Sequence, residues 1–378
     1  MPFDALFVPR ALREAVSDEA WVRAMLETER ALVRALASAG VIAEAPTLDL
    51  EVAAEDVVAD ARRSGNPAEP LAVRLRDLSE HAHLGATSQD ILDSAAMLVA
   101  REARVLVFAE LDGLAAECAR LADEHRSSLM AGRTLLQQAT PITFGFKAAG
   151  WLVGVAQSRG LLARAELPAQ LGGAAGTLAA LGDRGLEVRA AYAEELGLAD
   201  LPLPWHTMRV PVAALGAGLG IAAGVCEKIA LDVALLAQTE VAEVRESAEG
   251  ASSTMPHKRN PVGTTLARAC AIRARAAAGT LTAVVAQEHE RGLGGWHAEW
   301  GALSEALTCA GGAAAWLRET LAGLEVDVTR MRANIRDEDA LSEARRLGIE
   351  AERPEDYLGV AAAFVDRALA LHRNLEHP

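Results

Sequence analysis

Four stretches of this chain, at about 142–165, 211–246, 261–290 and 297–325, carry helical patterning and are each bounded by Pro, Gly or Asn. A helix of about 30 residues spans roughly 45 Å at 1.5 Å per residue, which is long for a compact globule. Helices of that length belong in a bundle. The stretch 211–246 sets Ala, Gly, Val and Leu on several faces, so neighbours must cover it from more than one side. One chain has too few long helices to do this, and self-association is the expected remedy. A further stripe, Leu111, Leu114, Ala115, Cys118, Leu121 and Ala122, predicts another long amphipathic helix running on from Arg104.

Composition points the same way. Hydrophobic residues are 51% of the 378 but aromatics only 4%, so the core is built from small and aliphatic side chains, which suit helix packing better than sheets. The expected class is all-α. A net charge of −15 argues against nucleic acid or an anionic membrane as partner, because those surfaces need a basic face to release counterions. A small anionic substrate stays compatible if the site concentrates Arg and Lys locally. Cys118, Cys226, Cys270 and Cys309 are widely spaced, so neither a disulfide framework nor a zinc site is expected. The first 21 residues place acids early and contain no continuous apolar run, so no secretory signal is expected and the location should be cytoplasmic. The Gly/Ala-rich stretch 210–226 is too short for a membrane span.

The most informative segment runs from Gly250 through Ser252, Ser253, Thr254, Met255, Pro256, His257, Lys258, Arg259 and Asn260 to Pro261. It is a small-residue loop that closes onto a lysine and an asparagine just before a helix. Hydroxyls, backbone N–H groups, an ammonium and the positive end of a helix dipole are thereby offered to one carboxylate-bearing ligand. A serine removes a carbon-bound proton only where nearby donors stabilise its alkoxide, and this loop supplies donors. Asn260 before Pro261 also reads as an N-cap. A second segment, His83-Leu84-Gly85-Ala86-Thr87-Ser88-Gln89-Asp90, clusters neutral donors at a helix opening near Ile91. Those donors suit a carboxylate, while Ser88 or Asp90 alone would explain the segment as a helix cap.

Together these segments resemble the fumarase/aspartase superfamily. The string SSTMPHKRNP is similar to its signature loop, with Ala251 where glycine is usual, and HLGATSQDILDSA is similar to its first motif in the carboxymuconate cycloisomerase branch. The resemblance implies that Ser252 or Ser253 is the catalytic serine and that Lys258, Asn260, Thr87 and Ser88 hold substrate carboxylates. His83, Gln89 and Arg133 join the substrate-binding set by the same resemblance. Segment 132–141 is similar to the second motif, in which adenylosuccinate and argininosuccinate lyases keep a histidine where this chain has Leu135. A leucine cannot transfer a proton, so a leaving group that needs an acid there is disfavoured.

Two more blocks resemble the same branch. LPWHTMR at 203–209 and QEHERGLGGWHAEW at 287–300 make His206, Arg209, His289 and Arg291 candidates for holding a polyanion, each with a structural ion pair or hydrogen bond as the alternative. Met208 and Val210 depart from the branch, which has Gln and Asp there. Glu290 and Glu299 read as local salt bridges sooner than as an acid/base pair. The Gly172–Gly176 run has no Lys-Ser/Thr ending and is expected to be a tight turn near the site, not a phosphate loop.

The resemblance implies an all-α, three-domain architecture: 1–92 N-terminal, 93–330 a central long-helix bundle, and 331–378 a shortened C-terminal domain. It further implies a homotetramer that acts on a small polycarboxylate with no metal or organic cofactor. The implied reaction is cycloisomerisation of 3-carboxy-cis,cis-muconate. The rivals are another lyase acting on a substituted succinate, and a non-catalytic assembly protein.

Overall fold

A computed structural model of the protein describes residues 3–247, 250–251 and 259–376. It is mostly helical, and seven helices carry the architecture: α1 (Asp18–Ser38), α2 (Ser88–Glu124), α3 (Phe144–Ala163), α4 (Val210–Ala237), α5 (Val262–Ala283), α6 (Gly295–Ala322) and α7 (Ala361–Glu376). The stripe from Arg104 and the helix expected near Ile91 are one element. With 37 residues, α2 is about 55 Å long.

Helices α2 to α6 form the bundle: α5 packs on α4 and α6, α6 on α2 and α4, and α3 on α2 and α4. Its core is built from the small and aliphatic side chains that the composition demands, with Ala100, Ala103, Ala222, Ala223, Ala267, Ala271, Ala274, Ala310, Ala313 and Ala314 all buried. Alanines at facing positions let helix axes approach closely. All four cysteines are buried in this core as free thiols, one each on α2, α4, α5 and α6. Burial holds them protonated, Cys226 and Cys270 being pushed up to about 12.

A second core joins α1 and the first turns of α2 to segment 169–196, through Leu171, Leu178, Leu181, Val188 and Tyr192. That segment falls inside the expected central span 93–330, yet its side chains pack into the N-terminal core. Three short antiparallel ladders lie among the described residues: β1 (Leu129–Thr134) with β2 (Gln137–Thr143), β3 (Val244–Glu246) with β6 (Leu324–Val326), and β4 (Gly250–Ala251) with β5 (Arg259–Asn260). No described helix is long and apolar enough to cross a membrane.

Two expectations shift. Helix α4 ends at Ala237 instead of reaching residue 246, because Glu243 and Glu246 turn inward to buried partners that a continued helix would not reach. Asn260 lies in β5 and does not cap α5. Glu246 takes that place from a distance, accepting from Gly263 N (2.8 Å), Thr264 N (3.0 Å) and Thr264 Oγ1 (2.7 Å). The first-turn N–H groups expected to face a ligand therefore face a carboxylate of the chain itself.

Candidate functional site

At one end of the bundle the start of α2 meets the approach to α4, the Gly172–Gly173 turn and the start of α6. Asp90 organises this end. Its carboxylate, fully buried, accepts from His206 Nε2 (2.7 Å), Gly172 N (2.9 Å), Gly173 N (2.8 Å) and Thr87 N (3.0 Å). Gly172 must be glycine: a Cβ there would sit 2.8 Å from His206 and from Pro204. The expected tight turn is thus tied to the helix start. Gln89, also buried, donates to His206 O (2.8 Å) and accepts from Arg291 Nη1 (2.8 Å), while Arg291 Nη2 donates to Ala174 O (2.8 Å). Thr87 and Ser88 form a half-buried lip at this end; no bond to the Ser88 hydroxyl occurs among the described residues.

Behind this lip lies a buried ion cluster. Arg209, on the approach to α4, has all five N–H donors engaged. Its Nε and Nη2 donate to Glu299, its Nη1 and Nη2 donate to Asp93, and its Nη1 also donates to Trp205 O. The guanidinium also stacks on Trp205, 4.6 Å from the ring centroid. Trp296 Nε1 donates to Asp93 (2.9 Å) and Gln287 Nε2 to Glu299 (2.9 Å). Burial pushes the Glu299 carboxyl above the ordinary range, with Arg209 and Gln287 pulling it back, whereas the two carboxylates hold Arg209 firmly charged.

Arg209 was expected to hold substrate; the geometry makes it a brace, because it has no donor left over. Gln89, also expected to bind substrate, has each end of its amide in one bond within the chain. His83 is buried with a positive φ of 62°, a conformation held by Glu29, which accepts from His83 N (3.1 Å) and contacts Nδ1 at 2.6 Å.

Arg133 and Asn260 lie at the opposite end. Arg133, on β1, makes a two-pronged contact with the fully buried Glu243 (3.0 and 2.5 Å), which Asn334 also contacts (2.8 Å). Its charge is neutralised within the chain. Asn260 is half-buried in the β4–β5 stem that brackets 252–258. Ser252, Ser253 and Lys258 lie outside the described residues. Leu135 and Leu136 form the two-residue tip between β1 and β2, 97% and 73% exposed and both at positive φ.

The separation of the two ends is large. Helix α4 runs 28 residues from the Arg209 end to the Glu243 end, about 42 Å, and α5 runs 22 residues back from Asn260, about 33 Å. Thr87 and Ser88 therefore cannot share a small substrate with Asn260 of the same chain.

Sequence reasoning missed Glu29, Asp93, Glu243 and Glu246, and took Asp90 only as a cap. The available signal was acids inside apolar runs, such as Asp90 and Asp93 in SQDILDSAAMLVA, where burial demands a partner. No group of three or more His, Cys, Asp or Glu among the described residues is arranged to hold a metal ion.

Comparison with known proteins adds to this picture. A family model described as "Lyase" matches residues 10–276. Nitrosuccinate lyase of Streptomyces davaonensis is 48% identical over 352 residues, covering 85% of this chain and 74% of the relative. 3-Carboxy-cis,cis-muconate cycloisomerase of Pseudomonas aeruginosa is 39% identical over 443 aligned positions, covering 99% of this chain and 96% of the relative. The crystal structure of the 3-carboxy-cis,cis-muconate lactonizing enzyme from Pseudomonas putida superposes with a TM-score of 0.88 at 35% identity, covering 99% of both chains.

Proposed function

This chain belongs to the lyase family of the fumarase/aspartase superfamily, and from that membership we propose that it breaks a bond β to a carboxylate whose leaving group departs as a stable anion. The observation that carries the reading is Leu135. It stands where histidine-bearing members keep a proton donor, so the departing group must leave without being protonated.

Two substrates meet this condition. In 3-carboxy-cis,cis-muconate cycloisomerisation, read from the lactone side, a proton leaves the carbon α to a carboxylate, the ring C–O bond breaks, and the oxygen departs within an internal carboxylate. The branch wording of three segments and cycloisomerase relatives at 39 to 43% identity support this reading. In the second, a proton leaves C3 of nitrosuccinate, the C2–N bond breaks, and nitrite departs, leaving an unsaturated four-carbon dicarboxylate. The 48% identity to a nitrosuccinate lyase favours it, as do Met208 and Val210, which depart from the cycloisomerase pattern and lie exposed.

The roles are common to both. Ser252 or Ser253 takes the carbon proton. Lys258 and Asn260 bind the carboxylate whose electrons receive the negative charge, stabilising an aci-carboxylate with fixed donors. Thr87 and Ser88 hold a second carboxylate. Arg291 and His206 keep the lip in place from behind. Because Thr87 and Asn260 lie at opposite ends of the bundle, a complete site takes its ends from different copies, in a homo-oligomer that we read as a tetramer. The apolar side chains Leu161, Ile221, Leu231 and Ile272, left exposed on α3, α4 and α5, support such association.

The test assays both compounds in parallel, following 3-carboxy-cis,cis-muconate by ultraviolet absorbance and nitrosuccinate by nitrite release, with wild type, Ser252→Ala and Ser253→Ala. Turnover of one of them, abolished by one serine substitution, is expected. Cleavage of adenylosuccinate with neither compound consumed would refute the stable-anion requirement.

A further inference from the structure

On the flank of the N-terminal core a cavity of about 560 Å³ opens between α1, the turn around Arg62–Pro67, the start of α2 and the second turn of α6. That volume lies in the range of small-molecule sites. None of Thr87, Ser88, His206 or Arg291 lines it. Its walls are apolar and partly flat: the indoles of Trp21 and Trp300 with Met25 and Leu92. Flat aromatic walls and a thioether favour a planar π-bearing body.

The polar groups of the cavity are unevenly matched. Arg62 is exposed and has no ion pair or hydrogen bond among the described residues. Asn66 accepts from Glu69 N through Oδ1, but its NH2 meets no acceptor. Ser304 Oγ accepts from Trp21 Nε1 (3.2 Å), and its own O–H is free to donate. The one acid in the lining, Asp18, sits in the first turn of α1, where the helix N-terminus offsets its charge. Donors thus outnumber acceptors around an aromatic slot.

Gly301 adds an independent sign. It lies inside α6 and lines the cavity, yet a Cβ placed on it would meet nothing within 4 Å. Packing does not call for glycine here, and helix propensity opposes it. What the missing side chain does is leave the cavity open.

We propose that this cavity binds a small aromatic monocarboxylate, the ring lying between Trp21 and Trp300 and the carboxylate meeting Arg62 and Asn66. The site is separate from the lyase site, and the proposal stands whichever substrate that site takes. It is also wired to the bundle: Trp300 packs edge-on against Trp296, with centroids 4.9 Å apart, and Trp296 donates to Asp93.

The test titrates the full-length protein with benzoate, by calorimetry and by intrinsic tryptophan fluorescence. Saturable binding of one benzoate per chain is expected, with benzyl alcohol and cyclohexanecarboxylate both binding more weakly. Arg62→Ala should weaken benzoate at least about tenfold, as loss of a charge-assisted contact does. Gly301→Leu, which fills the slot while favouring the helix, should abolish binding with the melting temperature kept or raised. Thr87→Val with Ser88→Ala should leave it unchanged. No saturable binding, equal affinity in Arg62→Ala, or loss in the Thr87/Ser88 variant would each overturn the proposal. Should Gly301→Leu melt early, the Arg62→Ala comparison decides.

Discussion

At the scale of single residues, much of what lies behind the lip is held by buried carboxylates that each gather several donors. Asp93→Ala is expected to lose about 3–5 kcal/mol of unfolding free energy in denaturant titration, since it unbalances a buried ion cluster and strands the Trp296 N–H. A loss below about 1 kcal/mol, the range of a surface ion pair, would contradict the buried brace. His125, at the end of α2 against Phe144, has its pKa lowered from 6.5 chiefly by burial. Between that lowered value and 6.5 the unfolded chain binds more protons than the folded one, so stability should rise with pH across the window and fall as acid is added. His125→Gln should flatten that slope, and an unchanged slope would remove His125 as its source. The hydroxyls of Thr87 and Ser88 were legible as donors at a helix start. The carboxylates behind them were less so, because an acid in an apolar run signals only that a partner exists, and, Thr87 N apart, the partners of Asp90 and Asp93 lie more than 75 residues away in sequence.

At the scale of elements, the long helices were legible because periodicity over many residues outweighs local noise. Their ends were less so: α4 stops where Glu243 and Glu246 find partners on other elements, and no nearby Pro or Gly marks the place. The β1–β2 hairpin went unread because its tip carries none of the usual turn chemistry. A two-residue tip with both φ values positive is normally Asn-Gly, and here it is Leu135-Leu136. Each leucine in that region costs about 1 kcal/mol or more, and both are exposed as well. Replacing them by Asn-Gly is expected to raise stability by about 1–2 kcal/mol and the melting temperature with it. If the apolar tip faces the substrate in another copy, turnover should fall in the same variant. An unchanged melting temperature would contradict the strain.

At the scale of the whole molecule, the bundle length governs the functional argument. The Pseudomonas aeruginosa alignment spans 443 positions against a chain of 378, so at least 65 positions of that relative face a gap here. The bundle that separates the two ends is nonetheless complete. Sequence motifs named residues from both ends as one site, but nothing in a linear pattern tells that a 37-residue helix stands between them. The central claim is that one lyase site is built from opposite ends of different copies. The most direct test mixes two inactive proteins under distinct tags. One is Thr87→Val/Ser88→Ala, defective at the lip; the other is Asn260→Ala, defective at the stem. Purified hybrids carrying both tags should regain turnover of the substrate identified above, because some of their sites combine two intact ends. Hybrids as inactive as either parent would contradict the account.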